Sequence, residues 1–124
     1  MKRLIAAAIL LGFVIASYFT GYFYTQKTCK QAKILLKECV DEYKAEKNAE
    51  LQAENLEVFW QEKEKILSFF ANHNEIDEIE QAISTLKAYS ISENEELFSE
   101  HSSAIDMLLH QLMEDTVPSI HSIF

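Results

Sequence analysis

The feature that constrains this chain most is a run of 21 residues without a charged side chain, residues 4–24. As an α-helix the run would be about 31 Å long, which matches the roughly 30 Å hydrocarbon core of a bilayer. Its last seven residues include five aromatic side chains, which is typical of a helix end at the membrane–water interface. The run therefore predicts one transmembrane helix in the lipid bilayer, with residues 1–26 as a signal-anchor.

A cleaved signal peptide is the alternative interpretation of the same segment. Two basic residues, Lys2 and Arg3, precede the apolar run, and the segment that ends at Ala16 resembles a cleavage site. The apolar run continues for eight residues beyond Ala16, however, which favours an uncleaved anchor. Lys2 and Arg3 favour an N-terminus inside the cell, whereas Lys27, Lys30, Lys33 and Lys37 after the run favour the opposite orientation. The short N-terminal tail resembles a signal-anchor, so we expect a single-pass cell-membrane protein with residues 27–124 outside the cytoplasm.

Composition predicts that residues 27–124 form an acidic, all-helical domain. The whole chain has two Gly and one Pro, too few for the turns of a sheet. Residues 1–37 carry six basic side chains and no acid, whereas the remaining 87 residues hold all 20 acids and five Lys. Such an acidic domain repels phosphate backbones, so we expect no nucleic-acid partner.

Apolar residues recur at helical spacing in four segments, residues 28–46, 49–70, 76–86 and 97–113. Asn48, Asn74 and Ser92 are the predicted N-caps of the second, third and fourth helices. The predicted fold class is all-α, with one N-terminal transmembrane helix followed by a small antiparallel bundle of three to four helices. Turn signals near residue 47 are few. A helix unbroken from 28 to 71 would instead favour a coiled-coil dimer.

The potential metal ligands and thiols do not form a recognised motif. Cys29 and Cys39 lie ten residues apart, about 15 Å along one helix, which is too far for a disulfide between them. The two cysteines could be small buried residues of the core. Alternatively, Cys29 could form a disulfide between two copies of the chain. Asp106, His110 and Glu114 share one helix face, but such ladders are common on solvated surfaces. We therefore expect neither a metal nor a cofactor.

The aromatic residues Phe59, Trp60 and Phe70 form the most distinctive cluster in the domain. Core packing is one interpretation. The other is a groove for a partner helix, to which Ile123 and Phe124 of the apolar C-terminal tail could belong. No nucleophile motif, Gly-rich loop or phosphate-binding loop is present, so the sequence does not predict an enzyme.

Three segments resemble a family of short bacterial proteins of unknown function, typical of spore-forming Firmicutes. They are WQEKEK at residues 60–65, FANHNEID at residues 70–77 and PSIHSIF at residues 118–124. The family's Asn-Ile-Leu-like ending differs here at two positions. The resemblance implies a signal-anchor followed by a helical domain outside the cytoplasm, and it implies no activity.

Two functions remain as hypotheses from the sequence. The first is a structural or interaction module at the cell envelope, anchored in the membrane, that binds another membrane or envelope protein or a second copy of itself. The second is a tethered helical bundle that binds a small ligand or a metal near His73, His101 or His110. Stabilisation by a bound ligand distinguishes the second from the first.

Overall fold

The computed structural model describes residues 1–115, and this part of the chain forms four helices. They are α1 (Lys2–Glu46), α2 (Glu50–Leu67), α3 (His73–Tyr89) and α4 (Glu95–Asp115). Each helix packs against the next, and α4 packs back against α1. Short loops join the helices, so neighbours run antiparallel in an up-and-down bundle. The predicted fold class, a long apolar N-terminal helix followed by a helical bundle, is confirmed.

Helix α1 joins the apolar segment and the bundle without a break. Its 45 residues make a rod about 68 Å long. Every residue from 1 to 20 is exposed, whereas a buried stripe begins at Gly21 and continues to Tyr43. The remaining members of that stripe are Thr25, Thr28, Cys29, Ala32, Leu36 and Cys39. The predicted boundary at residue 26 thus falls inside a continuous helix.

The chain turns at Lys47, so the alternative of one helix from residue 28 to 71 is wrong. Lys47 has φ 59° and ψ 18°, a left-handed conformation that ends α1, and its N–H donates to the carbonyl of Tyr43 at 2.8 Å. The α3–α4 loop stabilises the turn, because the N–H of Ala49 donates to the carbonyl of Ser90 at 2.9 Å. This bond also places both loops at the same end of the bundle.

Asparagine side chains lie at the starts of α2 and α3, but the predicted caps shift slightly. The N-cap of α2 is Ala49, although the Asn48 side chain accepts the N–H of Glu50 at 3.2 Å. The N-cap of α3 is Asn72, whose side chain accepts the N–H of Asn74 at 2.8 Å. The prediction of Asn74 as the cap is wrong because the extended backbone before the helix occurs two residues earlier.

The start of α4 is also later than predicted. The side chain of Asn94 accepts the N–H of Leu97 at 3.1 Å, which is the bond expected of an N-cap. The hydroxyl of Ser92, the predicted cap, donates instead to the carbonyl of Tyr89 at 3.0 Å. Ser92 therefore closes the end of α3 rather than opening α4.

The core lies between the four stripes. Its apolar side chains include Trp60 of α2, Ile79 of α3 and Leu109 of α4, each with no exposed surface. At the loop end near Lys47, the rings of Tyr43 and Phe98 stack with centroids 3.8 Å apart. The helices thus bury the faces that their 3.6-residue periodicity marks as apolar.

Candidate functional site

Among residues 1–115, the predicted groove residues Phe59, Trp60 and Phe70 do not share one open surface. Trp60 has 0% exposure, and its Nε1 donates to the carbonyl oxygen of Ile76 at 3.2 Å, so this residue belongs to the core. Phe59 is half-buried, with the ammonium of Lys63 5.6 Å from its ring centroid. Phe70 lies beyond the end of α2. Ile123 and Phe124 lie outside the described residues.

The apolar half of α1 carries most of the exposed large hydrophobic side chains in residues 1–115. An 18-residue window of this helix has a mean hydropathy of 2.1, and only 6% of it is buried. Within residues 1–115, it is the one helix long and apolar enough to cross a membrane. A core helix of a soluble protein would be mostly buried, whereas this segment is not. The segment is compatible with a membrane anchor.

The α2–α3 loop, residues 68–72, is called the proximal loop here because it contacts α1 within the apolar run. A Cβ added to Gly21 would lie 2.3 Å from Phe70 Cδ1, so only glycine permits this contact. The rings of Tyr24 and Phe70 are 6.4 Å apart. Phe70 is 40% exposed and its neighbour Phe69 is 82% exposed. The bundle therefore presents two aromatic side chains beside the aromatic end of the predicted anchor.

A groove of about 670 Å³ lies beside the contact between the proximal loop and α1. Residues of α1 line one side of the groove: Val14, Ser17, Tyr18, Gly21 and Tyr22. The other side is lined by Phe69, Phe70, Ala71 and Asn72 of the loop, Glu75 of α3 and Asp115 of α4. The amide of Gln26 donates to the carbonyl of Met113 at 2.7 Å and holds the end of α4 close to α1. Three elements therefore converge where α1 enters the bundle.

Two carboxyl pairs lie between helices. Burial, a hydrogen bond with Asp115 and the negative charges of Asp115 and Glu78 raise the pKa of Glu75 to about 7. Burial, a hydrogen bond with Glu80 and the charges of Glu80 and Asp77 likewise raise the pKa of Glu64 to about 7. The pairs join α3 to α4 and α2 to α3.

A second groove, of about 920 Å³, runs between α1 and α4 and has mixed charge. Four lysines line its α1 side, and three acids and three serines line its α4 side. Lys33 lies 3.9 Å from Asp106, and Lys47 contacts Glu95. Because acids accompany the lysines, the groove does not present one sign of charge to a ligand.

The three histidines within the described residues lie at separate places. His73, predicted in the loop, is the first residue of α3, and its Nε2 lies 3.4 Å from Asp77. His101 stacks on Tyr89 with ring centroids 4.9 Å apart. His110 lies 3.0 Å from the exposed Glu114. Through residue 115, no group of three or more His, Cys, Asp or Glu side chains is arranged to hold a metal.

Both cysteines are free thiols inside the bundle. Cys29 and Cys39 have no exposed surface, and burial raises the pKa of Cys29 to about 12 and that of Cys39 to about 11. The Cys39 thiol points at the carbonyl of Ala49, with Sγ 3.9 Å from the oxygen. Such thiols are poor nucleophiles, and the placement fits small buried residues rather than a disulfide between copies.

Sequence reasoning did not find the contact between Gly21 and Phe70. The signal for it was the adjacent pair Phe69 and Phe70 immediately before the loop signal at residues 72–74, together with a glycine inside an otherwise bulky apolar run. Neither feature shows alone that the two segments touch.

Residues 19–123 match the model of a protein family that is described as a domain of unknown function (DUF4363). The match begins two residues before Gly21, the first buried residue of α1, and so spans the packed part of the chain rather than most of the apolar run. No curated protein matches the chain, and no solved structure matches it.

Proposed function

The chain belongs to the DUF4363 family, whose description assigns no function, and we propose that it is a non-enzymatic, single-pass membrane protein whose bundle acts as a structural or interaction module at the cell envelope. The N-terminus lies in the cytoplasm, and the bundle lies outside it. The partner is another membrane or envelope protein, or a second copy of the chain.

One observation carries the proposal: a single helix changes from exposed apolar surface to buried stripe at Gly21. Residues 2–20 include ten large hydrophobic side chains that are at least 46% exposed. Apolar surface costs about 25 cal/mol for each Å² left in water, and a contiguous patch of this size marks a membrane or protein contact. A bilayer covers the segment on every side at once, as its all-round apolar character requires.

The orientation is assigned from the charges that flank the run and from the folded bundle beyond it. Lys2 and Arg3 precede the run and favour the cytoplasmic side. The other end leads directly into the acidic bundle, which we place on the opposite side. Lys27, Lys30, Lys33 and Lys37 follow the run and favour the reverse orientation, so a direct measurement of sidedness is the second test below.

The first test is extraction of cell membranes with alkaline carbonate, followed by the intact mass of the retained protein. We expect the full-length chain to stay in the pellet with its first residues present. Release into the supernatant would contradict membrane anchoring. A mass that lacks residues 1–16 would show cleavage after Ala16.

The second test measures sidedness with a membrane-impermeant thiol reagent. Asn55 is exposed on α2, so Asn55→Cys offers a reactive thiol on the bundle surface. The native chain is the matched control, because its two thiols are buried. Labelling of Asn55→Cys in intact cells supports a bundle outside the cytoplasm, whereas labelling only after lysis contradicts that orientation.

A further inference from the structure

We propose that the proximal loop is a second membrane contact, in which Phe69 enters the interfacial layer of the bilayer beside the anchor and holds the bundle against the membrane surface. The proposal rests on the proposed function, because it takes residues 4–24 as the membrane-spanning segment. Its occupant is lipid rather than a protein partner.

The contact at Gly21 fixes the depth of the loop relative to the bilayer. Gly21 lies within the apolar run and only three residues, about 4.5 Å along the axis, before its end at Tyr24. Phe70 packs on Gly21, and the groove beneath the loop is lined by Tyr18 and Val14 from still earlier turns. The loop therefore lies at the level where the anchor leaves the hydrocarbon and enters the headgroup layer.

The side chains at this level suit an interface. Phe69 is 82% exposed, although a phenylalanine ring is costly to leave in water. On α1, Tyr18, Phe19, Tyr22 and Phe23 form a chain of ring contacts, with centroids between 5.2 and 6.5 Å apart. Phe69 adds one more aromatic side chain to this belt, from a different part of the sequence.

Charges near the loop permit the contact. Two acids, Glu75 and Asp115, line the groove, and burial together with the neighbouring Asp115 carboxyl raises the pKa of Glu75 to about 7, which leaves less negative charge to face the headgroups than two ordinary carboxylates would. Lys65 occupies the last turn of α2, immediately before the loop, and Lys27 is exposed on α1 beyond the apolar run. Both cations can meet lipid phosphates.

The opposite end of the bundle gives a matched comparison. Ile91 of the α3–α4 loop is also exposed, at 56%, but that loop binds Ala49 at the end of the bundle far from the apolar run. An exposed apolar residue is thus present in a loop at each end, and of these two only Phe69 lies beside the apolar run of α1, where it can reach the bilayer.

The experiment uses the full-length protein in vesicles of phosphatidylcholine and phosphatidylglycerol whose acyl chains carry bromine, which quenches nearby tryptophan fluorescence. Phe69→Trp is compared with Ile91→Trp as the matched control, with Leu10→Trp as a reporter inside the anchor, and with the native chain, whose buried Trp60 supplies the baseline. We expect bromine to reduce the added fluorescence of Phe69→Trp and Leu10→Trp, and to leave Ile91→Trp at the native level.

The outcomes separate the two proposals. Quenching of Leu10→Trp with no quenching of Phe69→Trp would overturn the loop contact and leave the anchor in place. Absence of quenching at Leu10→Trp would contradict the anchor itself, and the loop contact with it. Equal quenching of Phe69→Trp and Ile91→Trp would also overturn the proposal, because the bundle would then lie on its side rather than stand on the loop.

Discussion

The two halves of α1 are equally helical and both rich in apolar residues, yet they differ in where those residues point. Residues 2–20 carry apolar side chains on every face, and all of these residues are exposed. From Gly21 to Tyr43, buried residues recur mostly every three or four positions, and most of the exposed positions between them carry Lys, Asp, Glu or Gln. The difference shows that periodicity, rather than total hydrophobicity, determines whether a helix packs against protein or needs lipid.

The comparison implies that membrane attachment and bundle stability depend on separate sets of residues. A substitution in one region should change one property and leave the other intact. The contact between Gly21 and Phe70 lies where the apolar run enters the bundle, so a change there should affect both membrane attachment and bundle stability. Each substitution below tests one part of this separation.

The largest expected effect on the bundle is that of Trp60→Ala. The substitution removes a completely buried ring and leaves the carbonyl of Ile76 without its indole donor, so the free energy of unfolding should fall by about 3–5 kcal/mol. Membrane attachment should persist, because residues 2–20 are unchanged. Denaturant unfolding in micelles, followed by circular dichroism, measures the loss.

Leu51→Ala is the control for that experiment, because Leu51 is an exposed apolar residue on the same helix. Its effect should stay within about 0.5 kcal/mol. Equal unfolding midpoints for Trp60→Ala and the native chain would remove Trp60 from the core and restore the partner-groove interpretation.

A charge in the first half of α1 should produce the converse result. Phe13 lies one residue from the middle of the apolar run, and Phe13→Lys should disfavour membrane insertion by about 3 kcal/mol. Ile34→Lys places the same charge on an exposed position of the second half and should not change attachment. The fraction of each variant retained in carbonate-washed membranes is the measurement. Similar retention for both would mean that the halves do not differ as described.

The two glycines of α1 offer a matched pair at the junction. A Cβ at Gly21 meets the Phe70 ring at 2.3 Å, whereas a Cβ at Gly12 meets nothing within 4 Å. Overpacking of this kind costs about 1–3 kcal/mol, so Gly21→Ala should lower the unfolding temperature of the bundle by several degrees. Gly12→Ala should not lower it. Thermal unfolding in vesicles measures both, and equal temperatures would mean that the loop does not rest on α1.

The smallest effect concerns pH. The folded-state pKa values of Glu64 and Glu75, about 7, lie above the ordinary value of 4.5, so between these limits the folded chain binds more protons than the unfolded chain. The contribution of these two groups to the free energy of unfolding should therefore be greatest below about pH 4.5 and should fall as the pH rises towards 7. Thermal unfolding across this range measures the slope.

Glu64→Gln and Glu75→Gln should each make that slope shallower, because an amide stays neutral throughout. Glu54→Gln, on the exposed surface of α2, removes the same formal charge away from both pairs and is the control. A slope that none of the three variants changes would show that the carboxyl pairs do not share protons in the folded chain.

The sequence was sufficient to predict the four helices, because the apolar residues of each stripe follow the 3.6-residue period. It was less reliable at the boundaries. Asn72 and Asn74 are both good caps, and only the backbone of the loop decides between them. At the turn, Lys47 adopts a left-handed conformation that is more common for glycine. The residue types around position 47 therefore gave little indication of a turn.

The candidate surfaces were harder to predict than the fold. The helical stripe shows that Trp60 lies on the apolar face of its helix, but it does not show what covers that face. Core packing and a partner groove were therefore both possible from the sequence, and only the position of the neighbouring helices distinguishes them. The contact of Gly21 with Phe70 joins residues 49 positions apart. It depends on where α2 ends, at Leu67 rather than near residue 72, and this local detail positions the proximal loop.

The most direct test of the central claim is a cysteine scan along α1, residues 4–46, in native membranes with a water-soluble thiol reagent, in a chain that carries Cys29→Ala and Cys39→Ala. The account predicts protection of every position from 4 to 20, followed by alternation in which exposed positions such as Lys30 and Lys37 react and stripe positions such as Ala32 do not. Reaction of positions 4–20 on all faces, or on one face at helical spacing, would contradict the claim that this half of α1 lies in the bilayer.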